Sequence, residues 1–355
     1  MINLYPLARP ILSALSAETA HNLTIFGLKS GLGPSSKQKD DPCLSTQVFG
    51  LKLPNPVGLA AGFDKNADVS NAMLNVGFGF VEAGTVTPKP QAGNDKPRLF
   101  RLVEDKAVIN RFGFNNKGLE YFTARLKNRR PGGIVGANVG ANKDATDRTE
   151  DYVTGIMALY GLSDYFTVNI SSPNTPGLRA LQSRDSLNDL VTRVLAARQA
   201  KMDAGMQRIP ILVKIAPDLT EEDIKDIAAV ALDNALDGLI VSNTTITRPS
   251  TLTSAHKSEI GGLSGAPLKK LSTDTLAQIY RATGGKITLI GVGGISSGAD
   301  AFDKIAHGAS LVQLYSALAY DGPSLVADIK TELTEILKEK GFASVSDAVG
   351  SAVKL

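Results

Sequence analysis

A single cysteine, Cys43, stands in a chain of 355 residues. One cysteine excludes an internal disulfide, an iron–sulfur cluster and a cysteine-built zinc site. Histidine is scarce as well: His21, His256 and His307 lie far apart and never at metal-ligand spacing, so no metal is expected. No apolar run reaches the roughly 18 residues that suggest a membrane span. The N-terminus lacks the basic and apolar regions of a cleaved signal. A net charge of +3, with no basic cluster interleaved with aromatics, excludes nucleic acid as an expected partner. The densest basic run, Lys127 to Arg130, precedes Pro131-Gly132-Gly133 and reads as a solvated helix end.

What is present is core. Hydrophobic residues make up 43% of the chain and charged ones 21%, a soluble globular composition. The length suits one α/β barrel plus an appendage. In the first 40 residues, Leu4, Leu7, Ala8, Ile11, Leu12 and Leu15 recur at helical spacing. Pro6 and Pro10 predict one short helix starting near Pro10, or two turns with a break. Ser16 is the expected N-cap of a second helix, which ends around Ser30-Gly31, with Glu18 set favourably against its dipole. A polar linker, Gly33 to Asp41, follows. Two such helices cannot bury their faces on each other alone. They either pack on the main domain or turn one face to a membrane surface or a lipophilic ligand.

From Val48 onward, strand, loop and helix repeat. A hairpin over Thr46 to Leu53 precedes the repeat, placed to plug a barrel end. Strand-like runs fall at Val57–Ala60, Phe80–Gly84, Ile134–Asn138, Tyr165–Asn169, Ile211–Ile215, Gly238–Ser242, Thr288–Gly291 and Leu311–Tyr315, with helices such as Leu187–Ala204, Glu221–Asn234 and Ser272–Thr283 between them. Near-continuous apolar strands separated by helices imply a parallel sheet, and eight repeats imply a (β/α)8 TIM barrel. A doubly wound open sheet is the alternative. The long link between the second and third strands carries Arg98–Val103 and Ala107–Asn110, a further hairpin, and long insertions of this kind serve as lids or binding loops.

The fourth strand empties into Asn169-Ile170-Ser171-Ser172-Pro173-Asn174-Thr175-Pro176-Gly177-Leu178-Arg179. Its prolines stiffen the backbone, and its amides and hydroxyls suit a planar polar ligand. Other strand ends are equally furnished: Ala61 to Lys65, Gly84-Thr85, Asn138, Ser242-Asn243-Thr244 and Tyr315-Ser316. The Gly291–Gly294 run, with Ser296 and Ser297 near a helix start, suits a phosphate held by backbone amides, or is a turn for tight packing. Lys214 lies inside an apolar strand and needs an anionic partner or a depressed pKa. A bound anion or electron-rich ring, or an acid elsewhere in the fold, would answer it. Lys65, behind a loop of small residues, is placed to clamp a carboxylate, or is an ordinary exposed lysine.

The 169–179 loop, Asn110-Arg111-Phe112-Gly113-Phe114-Asn115-Asn116, Gly84 to Pro90 and Ile290 to Ile295 resemble the dihydroorotate dehydrogenases, specifically the quinone-linked, membrane-associated class 2. The resemblance runs from the N-terminal helices to about Gly322. It implies an FMN-containing barrel that oxidises (S)-dihydroorotate to orotate in pyrimidine synthesis. By that likeness FMN is held by Ala61, Thr85, Asn138, Asn169, Lys214, Ser242, Gly265, Gly294, Tyr315 and Ser316. Substrate is held by Lys65, Asn110, Arg111, Phe112, Gly113, Phe114, Asn169, Asn174, Asn243 and Thr244. Ser172 becomes the base, its proton relayed by Thr175 and a water beside Phe114. Class 1 enzymes use cysteine as base and lack the N-terminal helices, whereas here the loop carries Ser172 and Cys43 precedes the barrel.

The resemblance also makes residues 1–40 a membrane and quinone-access domain, with His21, Arg101 and Tyr315 near the quinone head, and 41–355 the catalytic barrel. It implies a monomer held peripherally on the cytoplasmic face of a bacterial inner membrane. One departure is Ala141, where the family usually has lysine. The rivals are an FMN barrel using fumarate or NAD, against which the N-terminal helices and Ser172 argue, and a catalytically silent binding protein, which predicts damaged strand ends.

Overall fold

A computed structural model of the protein describes residues 5–36 and 38–355; Leu4 of the helical spacing and Lys37 of the linker lie outside them. In chain order come α1 (Tyr5–Ala14), α2 (Ala17–Lys29), β1 (Thr46–Val48), β2 (Leu51–Leu53), β3 (Val57–Leu59), α3 (Ser70–Val76), β4 (Phe80–Val86), β5 (Leu99–Leu102), β6 (Ala107–Asn110) and α4 (Gly118–Lys127). Then follow β7 (Ile134–Val139), α5 (Arg148–Leu159), β8 (Tyr165–Asn169), α6 (Arg184–Asp203), β9 (Ile211–Ile215), α7 (Glu221–Asp233), β10 (Gly238–Val241) and β11 (Gly262–Gly265). The chain finishes with α8 (Lys269–Ala282), β12 (Thr288–Val292), α9 (Gly298–Ala306), β13 (Ala309–Leu314), α10 (Leu318–Asp321) and α11 (Leu325–Glu339).

The eight strands β3, β4, β7, β8, β9, β10, β12 and β13 are parallel and close into a barrel. This is the (β/α)8 fold expected from the repeat. One large apolar cluster glues the helices to the outside of the barrel. Inside, side chains stack in layers, and polarity rises toward the C-terminal ends of the strands. Phe80, Tyr165, Leu212, Ile240, Ile290 and Leu311 form an apolar floor. Two residues further along their strands stand Glu82, Thr167, Lys214 and Gln313, all buried. The aromatic floor needs glycine opposite it: a Cβ on Gly58 would come 2.3 Å from the Phe80 ring, and one on Gly136 2.1 Å from Tyr165.

The β1–β2 hairpin closes that floor from below. Its turn residues Phe49 (φ 58) and Gly50 (φ 79) are both left-handed, the twist that a two-residue hairpin turn requires. Val48 and Leu53 pack onto the floor residues, so the hairpin is the plug that the sequence placed there.

The insertion between β4 and β7 forms β5 and β6 as expected. A third strand, β11, joins them from the far side of the chain, antiparallel to β6. Phe100, Leu102, Ile109 and Leu263 give this sheet its own small core. At the N-terminus the helix boundary differs from the expectation. α1 starts at Tyr5 and runs through Pro10, giving up one backbone bond. Tertiary contacts offset that loss. Tyr5 donates to the Ala319 carbonyl at 2.7 Å, and Arg101 reaches the last turn, donating to Leu12 O at 3.0 Å, Ser13 O at 3.1 Å and Leu15 O. α2 is capped by Ser16 as the sequence implied. Its Glu18 accepts a 2.8 Å bond from Arg98, which pins the helix to the insertion.

Above the barrel, three loops are tied at one point. Arg179 donates to Ser171 O at 3.1 Å and Thr244 O at 3.0 Å, and pairs with Asp218 at 2.9 Å. Asp218 in turn accepts from the Thr245 hydroxyl, from Thr247 at 3.2 Å and from the Ile246 amide at 3.3 Å. The loops after β8, β9 and β10 are thereby tied to one another. Arg179→Ala should accelerate cleavage of the 171–178 loop by a broad-specificity protease on the order of tenfold. Arg179→Lys should recover only part of the protection, since an ammonium cannot make the fork. Cleavage at the wild-type rate in both variants would show that this tie does not hold the loop.

Candidate active site

The strand ends meet in one hydrogen-bonded network. The Asn138 amide donates to Glu82 at 2.7 Å and accepts from the Thr85 hydroxyl at 2.6 Å. The Asn169 amide donates to Thr85 at 3.0 Å, and its oxygen accepts from the Ser171 hydroxyl at 2.8 Å. Asn243 extends the chain to Ser171 at 2.9 Å. Fully buried Glu82 anchors the whole, accepting also from Tyr165 at 3.2 Å, Thr167 at 3.0 Å and Gln313 at 3.0 Å. Thr85, Asn169 and Asn243 of this network border the space toward the C-terminal ends of the strands.

That space is a cavity of about 880 Å³, within the range of small-molecule sites. Its polar end is lined by Ala61, Lys65, Thr85, Asn110, Phe114, Asn169, Ser172, Asn174, Lys214, Ser242, Asn243 and Thr244. Its flank is lined by Gly265, Gly294, Tyr315 and Ser316, and its far end by α1 and α2 through Leu12, Ala20, His21, Leu23, Phe26 and Arg101. Of the residues singled out in the sequence, Asn138, Arg111 and Thr175 do not line it. Asn138 lies one layer below, holding Thr85 and Asn169. Thr175 is buried, and its hydroxyl has no hydrogen-bond partner.

Arg111 is a correction. Its guanidinium turns outward, pairing with Glu259 at 2.7 Å, donating to Ile260 O at 3.0 Å and lying 4.6 Å above the Phe100 ring. This side chain, expected at the substrate, therefore does not line the cavity. Its neighbours Phe112 and Gly113 do face the cavity. The cause is a long-range acid, Glu259, that local sequence does not reveal.

Of the lysines that line the cavity, Lys65 and Lys214 stand at its polar end. Lys214 is 4% exposed and makes no ion pair among the described residues. Burial pushes its amine below the ordinary value, and the charge of Glu82 opposes that shift. Among the described residues no acid forms a salt bridge with it, although the charge of Glu82 reaches it. Lys65 donates to Gly62 O at 2.8 Å and lies 3.9 Å over the Phe112 ring. Burial pushes it down to about 8, with Glu18 holding it up in part. His21, half-buried, is driven down to about 3 by desolvation and by the charge of Lys65, and is neutral at ordinary pH. Its Nδ1 lies 3.3 Å from the Tyr315 hydroxyl, which burial keeps protonated.

The glycine turn after β12 has the shape of an anion cradle, but with a different helix from the one expected. The N-terminus of α9 is already taken: Gly298 and Ala299 donate to the Glu332 carboxylate at 2.6 and 3.2 Å, and Ser296 is bound to Asp300. Gly294 (φ 74) instead packs on the start of α8, where an added Cβ would stand 2.7 Å from Lys269 N. The first turn of α8 has no side-chain cap and no acid, an electrostatic setting that suits an anion, while the Lys269 amide itself is held by Ala266 O.

Glu82 and Gln313 were missed. Gln313 lines the cavity, and its amide oxygen is buried without a partner. For Glu82 the signal was available: a carboxylate within the apolar run Phe80-Val81-Glu82-Ala83 invites the same question as Lys214. Among the described residues, no group of three or more His, Cys, Asp or Glu could hold a metal ion.

The sequence model of the family described as "Dihydroorotate dehydrogenase" matches residues 43–337. A dihydroorotate dehydrogenase (quinone) of Parvibaculum lavamentivorans is 57% identical over 356 residues, covering 100% of both chains. One of Azorhizobium caulinodans is 54% identical, covering 99% of this chain and 100% of its own. A crystal structure of DHODH from Eimeria tenella in complex with ferulenol superposes with a TM-score of 0.91 at 43% identity, covering 94% of this chain and 95% of that one. With a family match over most of its length and relatives more than half identical from end to end, the chain belongs to the dihydroorotate dehydrogenase family.

Proposed function

We propose that this chain oxidises (S)-dihydroorotate to orotate in pyrimidine biosynthesis and passes the electrons to a quinone, with FMN as cofactor. The observation that carries the reading is the single cavity with two unlike ends: a rigid array of amides and lysines over the barrel, and an apolar mouth between α1 and α2. The end-to-end match with quinone-linked relatives supports the choice of acceptor.

The residues fit FMN. A buried, unpaired ammonium at Lys214, an orphaned Gln313 oxygen and a glycine cradle at an uncapped helix start are the donors and acceptors that a flavin and its phosphate need. Thr85, Asn169, Lys214, Ser242 and Ala61 would hold the ring, with Asn138 beneath, and Gly265, Gly294, Tyr315 and Ser316 the remainder. When bound, FMN supplies the two-electron acceptor for the hydride leaving C6 of the substrate and hands those electrons on to quinone.

The chain's own residues do the rest. Asn110, Asn174, Asn243 and Thr244 meet the alternating N–H and C=O groups of the substrate ring, and Lys65 meets its carboxylate. Asn174 is set by its 3.3 Å bond to Asn110 and by Asn94, which donates to its carbonyl at 3.1 Å. Phe112 and Phe114 give the substrate end apolar walls. Ser172 Oγ accepts from the Asn174 backbone N–H at 3.2 Å, which aims its lone pairs and leaves its proton to be passed on. It removes the C5 proton, and Thr175 with a water beside Phe114 relays it.

Residues 1–40 form the quinone-access domain and 41–355 the catalytic barrel. Ile11 and Phe26 are about two-thirds exposed (65% and 67%), and Leu32 is 81% exposed, an apolar face suited to a membrane surface. On this reading the attachment is peripheral, on the cytoplasmic face of a bacterial inner membrane; no helix among the described residues is long and apolar enough to cross a membrane. His21 and Tyr315 present neutral polar groups to the quinone head. Arg101 lines the same passage, but it serves first to hold the end of α1.

Three outcomes test this reading. Ser172→Ala should retain flavin yet slow its reduction by dihydroorotate about 10²–10⁴-fold, the usual worth of a general base; reduction at the wild-type rate would remove Ser172 from the role. The kcat/KM for dihydroorotate should fall with an inflection near pH 8, as Lys65 loses the proton that pairs with the carboxylate. Lys65→Met should abolish that inflection, and its persistence would reassign it. Ile11→Asp with Phe26→Asp should weaken vesicle binding and raise the KM for quinone while sparing flavin reduction by substrate; an unchanged quinone KM would sink the access assignment.

A further inference from the structure

Lys304 is a charged residue that the reaction does not use and the fold does not explain. It lies in α9 with 0% of its surface exposed. A buried ammonium is costly unless an anion answers it, yet Lys304 makes no ion pair among the described residues. Its Nζ donates to Ser272 Oγ at 2.5 Å and to Lys269 O at 3.4 Å. Both partners belong to the first turn of α8, the positive pole of that helix, where a further cation is disfavoured by the dipole as well.

The acids that act on Lys304 are engaged elsewhere. Asp300 holds Lys269 at 2.5 Å, Asp303 lies 3.2 Å from His307, and Asp274 holds Lys270 at 2.6 Å. Burial drives the Lys304 amine down to about 7; Asp303 draws it up, and the charge of Lys269 adds to the fall. Within the described residues, carboxylates act on this position only from a distance and none contacts it.

In front of it stands the glycine cradle. Ser272 Oγ lies 3.1 Å from Gly293 O, and a Cβ on Gly293 would meet that same oxygen at 2.8 Å. A Cβ on Gly291 would come 3.1 Å from the Lys304 Cβ. Ammonium, hydroxyl, helix turn and glycine loop are therefore one contiguous unit. By donating to Ser272, Lys304 occupies a lone pair of the hydroxyl and directs its hydrogen to the carbonyls of Lys269 and Gly293.

We propose that Lys304 is the buried counter-cation of the flavin phosphate, a positioning residue that acts from behind the cradle through Ser272 and the first turn of α8. The proposal rests on the FMN reading above. A dianion on the cradle would offset both the burial and the dipole penalty. The charge should accordingly be felt by the phosphate and by no other part of the flavin.

Riboflavin, which lacks the phosphate, separates this role from a structural one. Full-length wild-type, Lys304→Met and Ser272→Ala proteins are stripped of flavin and titrated with FMN and with riboflavin, following flavin fluorescence, with melting temperatures of the stripped proteins recorded. Lys304→Met should weaken FMN binding on the order of tenfold and leave riboflavin binding unchanged. Ser272→Ala should lower the FMN-to-riboflavin preference in the same direction by a smaller factor. Equal loss of both ligands in Lys304→Met, or an unchanged preference in Ser272→Ala if the lysine variant does not fold, would overturn the proposal. Wild-type protein that binds neither ligand would overturn the flavin reading itself.

Discussion

The barrel must carry charge in its interior, and the rest of the site follows from how it does so. Glu82 is fully buried, with donors converging from Asn138, Tyr165, Thr167 and Gln313. An unsatisfied carboxylate there would cost several kcal/mol. Satisfying it draws side chains from β7, β8 and β13 to one point, and it fixes Asn138, which in turn fixes Thr85 and Asn169. Lys214 stands nearby without a partner of its own. One charge is answered by the protein and the other is left for a ligand, so rigidity and binding capacity arise from the same layer.

The remaining charges follow a similar division. Glu18 with Arg98 and Arg179 with Asp218 are closed pairs that hold elements together. Lys65, Lys214 and Lys304 are buried or half-buried amines with no carboxylate in contact, and all three have pKa values pushed downward chiefly by burial. Lys65 and Lys214 line the cavity, at its substrate end and in the polar layer of the barrel, and Lys304 stands behind the glycine turn that borders it. Taken together they describe an anionic occupant with charge at more than one place. The apolar end of the cavity carries no such groups and is closed by helices whose outer faces remain apolar.

Much of this was legible in the sequence because it was local. Eight apolar runs gave eight barrel strands, with ends within about two residues, since strands buried on both faces leave a continuous signal. The β1–β2 plug, the Ser16 cap and the insertion hairpin were also local in origin. What was not legible depends on distant partners. β11 has glycine at two of its four positions and becomes a strand only by pairing with β6. Pro10 is tolerated because Arg101 and Ala319 hold the helix around it. Arg111 is drawn away from the cavity by Glu259, and the α9 N-terminus is filled by Glu332, so the cradle turns to α8 instead. Composition and periodicity contain none of these pairings.

The most direct test is anaerobic. The purified, flavin-loaded protein is mixed with dihydroorotate while flavin absorbance is followed, and quinone, fumarate or NAD is then added separately. The account predicts bleaching by dihydroorotate and rapid recovery with quinone alone. A flavin-loaded sample that does not bleach, or that recovers with fumarate or NAD in place of quinone, would contradict it.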